Sequence, residues 1–171
     1  ALPIDALGVH APARGVPGEL TVVSGLYTGP LGLAPELMSA PRAVVLATLD
    51  HLGLPARDIE ITVTGEVPHA RGLGSSAAVA GALVRALADH AGVDLDEETY
   101  LRLVDVGERV AHGSPSGLDA HATSSAASAP VWFEAGVARR PSTRLRAVLV
   151  VADSGRAGRT RPAAGSAAAV L

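Results

Sequence analysis

From Ile59 to Thr64 the chain alternates strictly. Ile59, Ile61 and Val63 fall on one side, Glu60, Thr62 and Thr64 on the other. That is the period of a strand with one buried face, and it predicts a strand from Ile59 towards Pro68. Elsewhere the apolar residues recur at helical spacing. "APRAVVLATLDHLG" predicts a helix that stops at Gly53, a natural C-terminal cap. A second helix follows "PHARGLGSSAA" and runs to about Ala91. A third is capped by Asp94 or Asp96 and runs through "ETYLRLVDVGERVAHG" to Gly113. "GSPSGLD" then opens a short helix through "AHATSSAA", with Ser114-Pro115 as its start signal. "ELTVV", Glu19 to Val23, reads as a strand, and "GLYTGPLGLAPE" as a turn-rich stretch. "APVWFEAGVARR" reads as a hairpin turning near Ala135-Gly136, and Leu145 to Gly155 as a central strand. Strands and helices interleave without an internal repeat or a clear linker. The fold class is therefore α/β or α+β, in a two-layer sandwich.

Composition narrows this picture. The chain has 171 residues, enough for one domain with a real core, or most of one. Nearly half are hydrophobic (48%) and only 2% are aromatic, so Val, Leu, Ile and Ala must build the interior. There is no cysteine, which removes disulfides and thiolate metal sites and suits a cytoplasmic protein. No apolar run approaches the ~20 residues that span a bilayer, and no signal peptide opens the chain. A net charge of -3, spread along the sequence, argues against a nucleic-acid surface. All 14 basic residues are Arg; the chain begins on Ala1 and ends on "AAGSAAAVL" inside a helical pattern, so both ends read as cuts.

Three constellations carry chemistry. The first is Gly72, Leu73, Gly74, Ser75, Ser76 and Ala77 at a helix start. Free backbone N–H groups and the positive end of the helix dipole make such a start an anion site, with phosphate as the usual guest. Gly72 and Gly74 can take positive φ, and the serine hydroxyls can cap the helix, hold a phosphate oxygen or ligate Mg2+. Small residues at Ala77, Ala78, Ala80 and Gly81 would let the helix approach the sheet closely. A Walker ending is missing, which argues against an ordinary P-loop. The bland alternative is a glycine-rich turn with a serine cap.

In the second, Leu101, Val104, Glu108 and Ala111 form one helical stripe, so Glu108 points where a core residue should. A carboxyl group there needs a partner: an Arg, or a cation such as Mg2+. Arg102, Asp105 and Arg109 lie off the stripe and are free to be solvated. In the third, Asp119 sits early in a helix, where it either complements the dipole or serves as a base or orienting group for a substrate hydroxyl. The spacings of His69, His112 and His121 match no compact zinc signature. His10, His51 and His90 read as surface residues, and Arg139, Arg140, Arg144 and Arg146 as a solvated face.

These segments are similar to known ones. Pro68 to Ala78 resembles the second motif of the GHMP kinase superfamily, which includes galactokinase, homoserine kinase, mevalonate kinase and phosphomevalonate kinase. "GERVAHGSPSGLD", Gly107 to Asp119, resembles the mevalonate kinase family, where Glu is followed by His-Gly, Pro-Ser-Gly and Asp. "ADSGRAGRT", Ala152 to Thr160, is similar to that family's Asp-Thr/Ser-Gly stretch, and "ALPI" to the strand after its first motif.

The resemblance implies a GHMP kinase fold, with a ribosomal-protein-S5-like N-terminal domain over 1–150 and the beginning of the C-terminal domain over 151–171. It implies ATP and Mg2+, and phosphorylation of mevalonate to 5-phosphomevalonate for isoprenoid synthesis. Gly72 to Ala77 would surround the triphosphate, with Ser76 and Glu108 as metal ligands. Asp119 would be the catalytic aspartate, with Ser116 and Thr160 beside it or the substrate. No nucleic acid or membrane partner is implied, and a homodimer is common in the family. Rival readings are a homoserine, phosphomevalonate or sugar kinase, a non-catalytic nucleotide or mevalonate binder, and a plain structural domain. The chain departs from the family pattern by having no lysine, hence no first-motif lysine, and no late glycine-rich loop.

Overall fold

The computed structural model describes residues 8–67, 72–124, 130–134, 136–141 and 150. A mixed sheet lies under a layer of helices. The strand Arg57–Gly65 (β5) is its centre and accepts partners on both edges. On one edge, Thr21–Ser24 (β3) runs parallel to it, with Thr28–Pro30 (β4) outside in an antiparallel ladder. On the other edge, Val9–His10 (β1) and Ala13–Glu19 (β2) pair successively along the same side of β5. A bond from Thr62 N–H to the Pro12 carbonyl (3.1 Å) keeps that ladder going between them. The α/β two-layer class stands.

The alternation of β5 behaves as its period demands: Ile59 and Ile61 are buried and Val63 half-buried. Its first turn is irregular. The register shifts between Gly15 and Glu19, Asp58 takes φ 60°, and Asp58 Oδ1 accepts from Gly18 N–H at 2.8 Å. Asp is among the few side chains that tolerate this region. Two strand expectations are corrected. Glu19 ends β2 and does not begin the next strand, because the chain breaks at Leu20; the turn-rich stretch contains β4 and two short 3-10 turns, Leu31–Leu33 and Glu36–Met38.

Helix Ser39–Leu52 (α1) carries the parallel crossover from β3 to β5. Gly53 at φ 65° closes it, as expected. Helix Ser75–Ala91 (α2) ends on Gly92 at φ 66°. Helix Glu97–His112 (α3) is capped by Asp96, whose side chain accepts from Thr99 N–H at 2.7 Å. That bond holds the Asp96 carboxyl below its ordinary range. Leu118–Ser124 (α4) is short. A separate hairpin, Trp132–Glu134 (β6) and Val137–Arg139 (β7), sets Glu134 opposite Val137. Of the expected strand at 145–155 only Val150 is described, and it is exposed; the rest lies outside the described residues.

The core lies between sheet and helices: Val22 and Ile61 from below, Val44, Val45, Leu49, Leu83, Leu87, Leu103 and Val104 from above. α2 and α3 lie antiparallel at very close range. A Cβ at Gly81 would overlap the Tyr100 hydroxyl, and one at Gly107 would stand 3.6 Å from Ala80 Cβ; on its other side Gly107 packs on α1, where that Cβ would be 2.5 Å from Val44 Cγ2. This corrects one expectation: Gly81 makes room for α3, not for the sheet. Tyr100 is buried, its hydroxyl has no hydrogen-bond partner among the described residues, and the Arg85 guanidinium lies 4.5 Å from its ring centroid. Burial pushes the Tyr100 hydroxyl up, against the opposing pull of Arg85.

Candidate functional site

The site forms where three helix ends converge: the start of α2, the end of α3 and the start of α4. The α2 end is set by glycine. Gly72 and Gly74 sit at φ 72° and 66°, so the permissive backbone expected of both is in use. Gly74 is the residue before the helix, and its carbonyl accepts the first helical bond from Ala78 N–H at 2.9 Å. No side chain caps this end. The serine-cap alternative is therefore corrected: the backbone N–H groups of Ser75, Ser76 and Ala77 belong to the first turn, which lacks intrahelical partners. Ala77 is fully buried and anchors that turn, while Leu73, Ser75 and Ser76 are half-buried and Gly72 is exposed.

α3 brings Glu108. The inward direction expected from its spacing holds: it is 4% exposed, deep beside Val104 and Gly107. The stripe itself is corrected. The buried face runs through Tyr100, Leu103, Val104, Gly107 and Glu108, whereas Leu101 is half-buried and Ala111 exposed. No Arg pairs with Glu108 among the described residues. Arg109 instead pairs with Asp105 on the solvated side of the helix. Glu108 Oε1 is buried with no hydrogen-bond partner among the described residues, and Oε2 stands 4.0 Å from His112 Nε2. An inward carboxyl with an open oxygen is costly unless something binds it.

His112 joins this site, a placement the sequence reading did not assign. Its Nε2 lies 3.2 Å from Ser76 Oγ, across the gap between α3 and α2. The sequence offers it as a zinc ligand of poor spacing and as the His of the Gly107–Asp119 motif, and its place four residues after Glu108 puts both on one side of the last helical turn.

α4 brings Asp119, and its start is corrected. Gly117 takes φ 85°, a conformation no helix contains, so the helix begins at Leu118 and not at Pro115. Ser116 Oγ accepts from Leu118 N–H at 3.3 Å and is exposed; its visible task is to open α4. Asp119 is half-buried in the first turn and packs on Gly74: a Cβ there would lie 3.6 Å from Asp119 Cβ and Cγ. Gly74 and Asp119 are thus brought together from opposite ends of a long stretch of sequence. Thr160 lies outside the described residues.

A cleft of ≈ 410 Å³ opens beside Ser75, Ser76 and Glu108; Asp119 is not among its lining residues. Its lining is mostly apolar, and the polar side chains among its described residues are Ser24, Ser75, Ser76 and Glu108. Glu108 is the one charged group there. A carboxyl oxygen without a partner and a nearby hydroxyl are hard oxygen donors, the kind that suit Mg2+. The donor set therefore fits such an ion. No helix among the described residues is long and apolar enough to cross a membrane.

Comparison with known proteins adds the rest. A family model described as the GHMP kinases N terminal domain matches residues 39–127, just over half of the chain. A homoserine kinase of Thermoplasma acidophilum is 45% identical over 83 residues, covering 48% of this chain and 26% of its own length. A mevalonate kinase of Thermococcus gammatolerans is 28% identical over 161 residues, covering 94% of this chain and 47% of its own. Among solved structures, the mevalonate kinase of Methanococcus jannaschii superposes with a TM-score of 0.64 at 16% identity, over 78% of this chain and 45% of that one. The chain spans less than half the length of each.

Proposed function

This chain belongs to the GHMP kinase family, and on that premise we propose that it is the ATP-binding part of a mevalonate kinase, which transfers the γ-phosphoryl group of ATP to the mevalonate 5-hydroxyl. The observation that carries the reading is Glu108: a buried carboxyl with an open oxygen, lining one cleft with the serines of an uncapped helix start. In this assignment residues 1–150 are the N-terminal domain and 151–171 begin the C-terminal one.

Phosphoryl transfer needs positioning and charge stabilisation more than covalent chemistry. The chain's residues divide those tasks. Backbone N–H groups of Ser75, Ser76 and Ala77 receive phosphate oxygens, and the missing side chain at Gly74 lets them approach. Ser76 and Glu108 would hold Mg2+, which when bound would neutralise charge on the phosphates. Asp119 orients the substrate hydroxyl and takes its proton as the oxygen bonds to the γ-phosphorus and the bond to ADP breaks. The half-burial of Asp119 against Gly74 supports this, since it sets the carboxyl at the phosphate end of α2. Ser116 keeps α4 in place, and Thr160 is proposed as a further substrate neighbour.

Mevalonate is favoured by breadth of similarity: the mevalonate kinase aligns over 94% of this chain, the homoserine kinase over 48%. Homoserine is the second reading, because the narrower match has the higher identity, 45% against 28%. ADP release by the intact protein, with mevalonate and homoserine side by side, decides between them. Turnover of mevalonate is expected. Turnover of homoserine alone replaces the substrate and keeps the chemistry; ADP from neither overturns both substrate readings.

A further inference from the structure

The proposed cation subsite contains a serine, and a serine ligates a cation through oxygen lone pairs. Its proton must then point elsewhere, towards an acceptor. Around Ser76 the structure offers His112 Nε2, 3.2 Å from Oγ. Nε2 is 4.0 Å from Glu108 Oε2, beyond hydrogen-bond reach, so the shorter contact sets its partner. His112 has few alternatives. It is the last residue of α3, held by the turn that also carries Glu108, with 37% of its side chain exposed and its ring reaching across to the first turn of α2.

We propose that His112 is a positioning residue for the cation subsite: its Nε2 accepts a hydrogen bond from the Ser76 hydroxyl and leaves the Oγ lone pairs free to share a cation with Glu108. The inference rests on the kinase reading above and deepens it. His112 does not touch substrate; it acts through Ser76. The arrangement also pins the end of α3 to the start of α2, so the carboxyl and the hydroxyl keep a fixed spacing.

The test is binding of AMPPNP to the intact protein, without turnover, in the presence and absence of Mg2+. One neutral hydrogen bond of this kind corresponds to an affinity change of about three- to tenfold. His112→Ala is expected to weaken Mg·AMPPNP by that factor while metal-free AMPPNP stays within about twofold. His112→Gln, whose amide oxygen can accept the same bond, is expected to restore most of the loss. In a Ser76→Ala background, His112→Ala should do nothing further, because the two residues act as one unit. Equal weakening of the metal-bound and metal-free nucleotide overturns the proposal, as does a loss that adds to that of Ser76→Ala. So does a His112→Ala protein that binds like the parent. A parent that binds neither form overturns the kinase reading itself, and this inference with it.

Discussion

Replacing Glu108 with Leu should make the nucleotide-free protein more stable and take its metal response away. Glu108 is 4% exposed, and its Oε1 has no partner among the described residues. A buried polar group left unsatisfied costs about 1–3 kcal/mol. Leu fills a similar volume and removes that cost, as apolar replacements of buried charged groups often do. For a protein of this size each kcal/mol is about 2–4 °C in Tm, so a rise of about 2–12 °C is expected in a thermal melt. The second arm adds Mg·AMPPNP at about 100 times its Kd, which should stabilise the parent by about 2.7 kcal/mol. The variant should show only a small part of that shift. A lower melting temperature for free Glu108→Leu would refute the reasoning, for it would mean that the carboxyl already has a stabilising partner. A higher melting temperature with the full ligand shift retained would refute the cation role.

Three further predictions concern the scaffold. Gly81→Ala sets a Cβ against the Tyr100 hydroxyl, and overpacking of about 1–3 kcal/mol should outweigh the roughly 1 kcal/mol gained in helix propensity, so Tm falls. Tyr100→Phe removes the unpartnered hydroxyl, should be neutral or stabilising alone, and should recover part of the loss in the double variant; strictly additive effects would contradict the packing described. Asp96 has its carboxyl pKa lowered by the Thr99 N–H bond, so its contribution is present above about pH 4 and is lost as pH falls through the folded value. Acid unfolding of Asp96→Ala should therefore differ from the parent near neutrality and converge with it in strong acid; a constant gap down to low pH would contradict this.

The elements that were legible in the sequence are those whose signal is local. β5 announces itself by alternation, α1 by its glycine cap, α2 by the glycine-serine turn that leads into an apolar run, α3 by an Asp cap at 94 or 96, and Glu108 by its place on an otherwise apolar face. What was illegible depends on partners. "VH" is too short to carry a pattern and "ARGVPGE" contains Pro, Gly and charges that argue against a strand; both are strands because β5 pairs with them. The start of α4 follows the left-handed Gly117, which outweighs the Pro115 signal. Gly81 reads as small, but what it makes room for is known only once Tyr100 is set against it. His112 reaches Ser76 only when α2 and α3 lie antiparallel, although its spacing from Glu108 is plain in the sequence.

The centrality of β5 has a consequence for how the protein is made. β1, β2 and β3 all precede the strand that pairs with them. At about 5–20 residues per second, a ribosome needs roughly 2–8 s to travel from Ser24 to Gly65. During that interval these early segments wait with open edges, the condition in which nascent chains pair with strangers. β2 is written to wait safely: Arg14, Pro17 and Glu19 sit in its short span, and most of it stays exposed even after folding. Once β5 emerges, Arg14 Nε finds Glu60 at 2.9 Å, and the same charge that kept the segment unattractive to other chains marks its proper register.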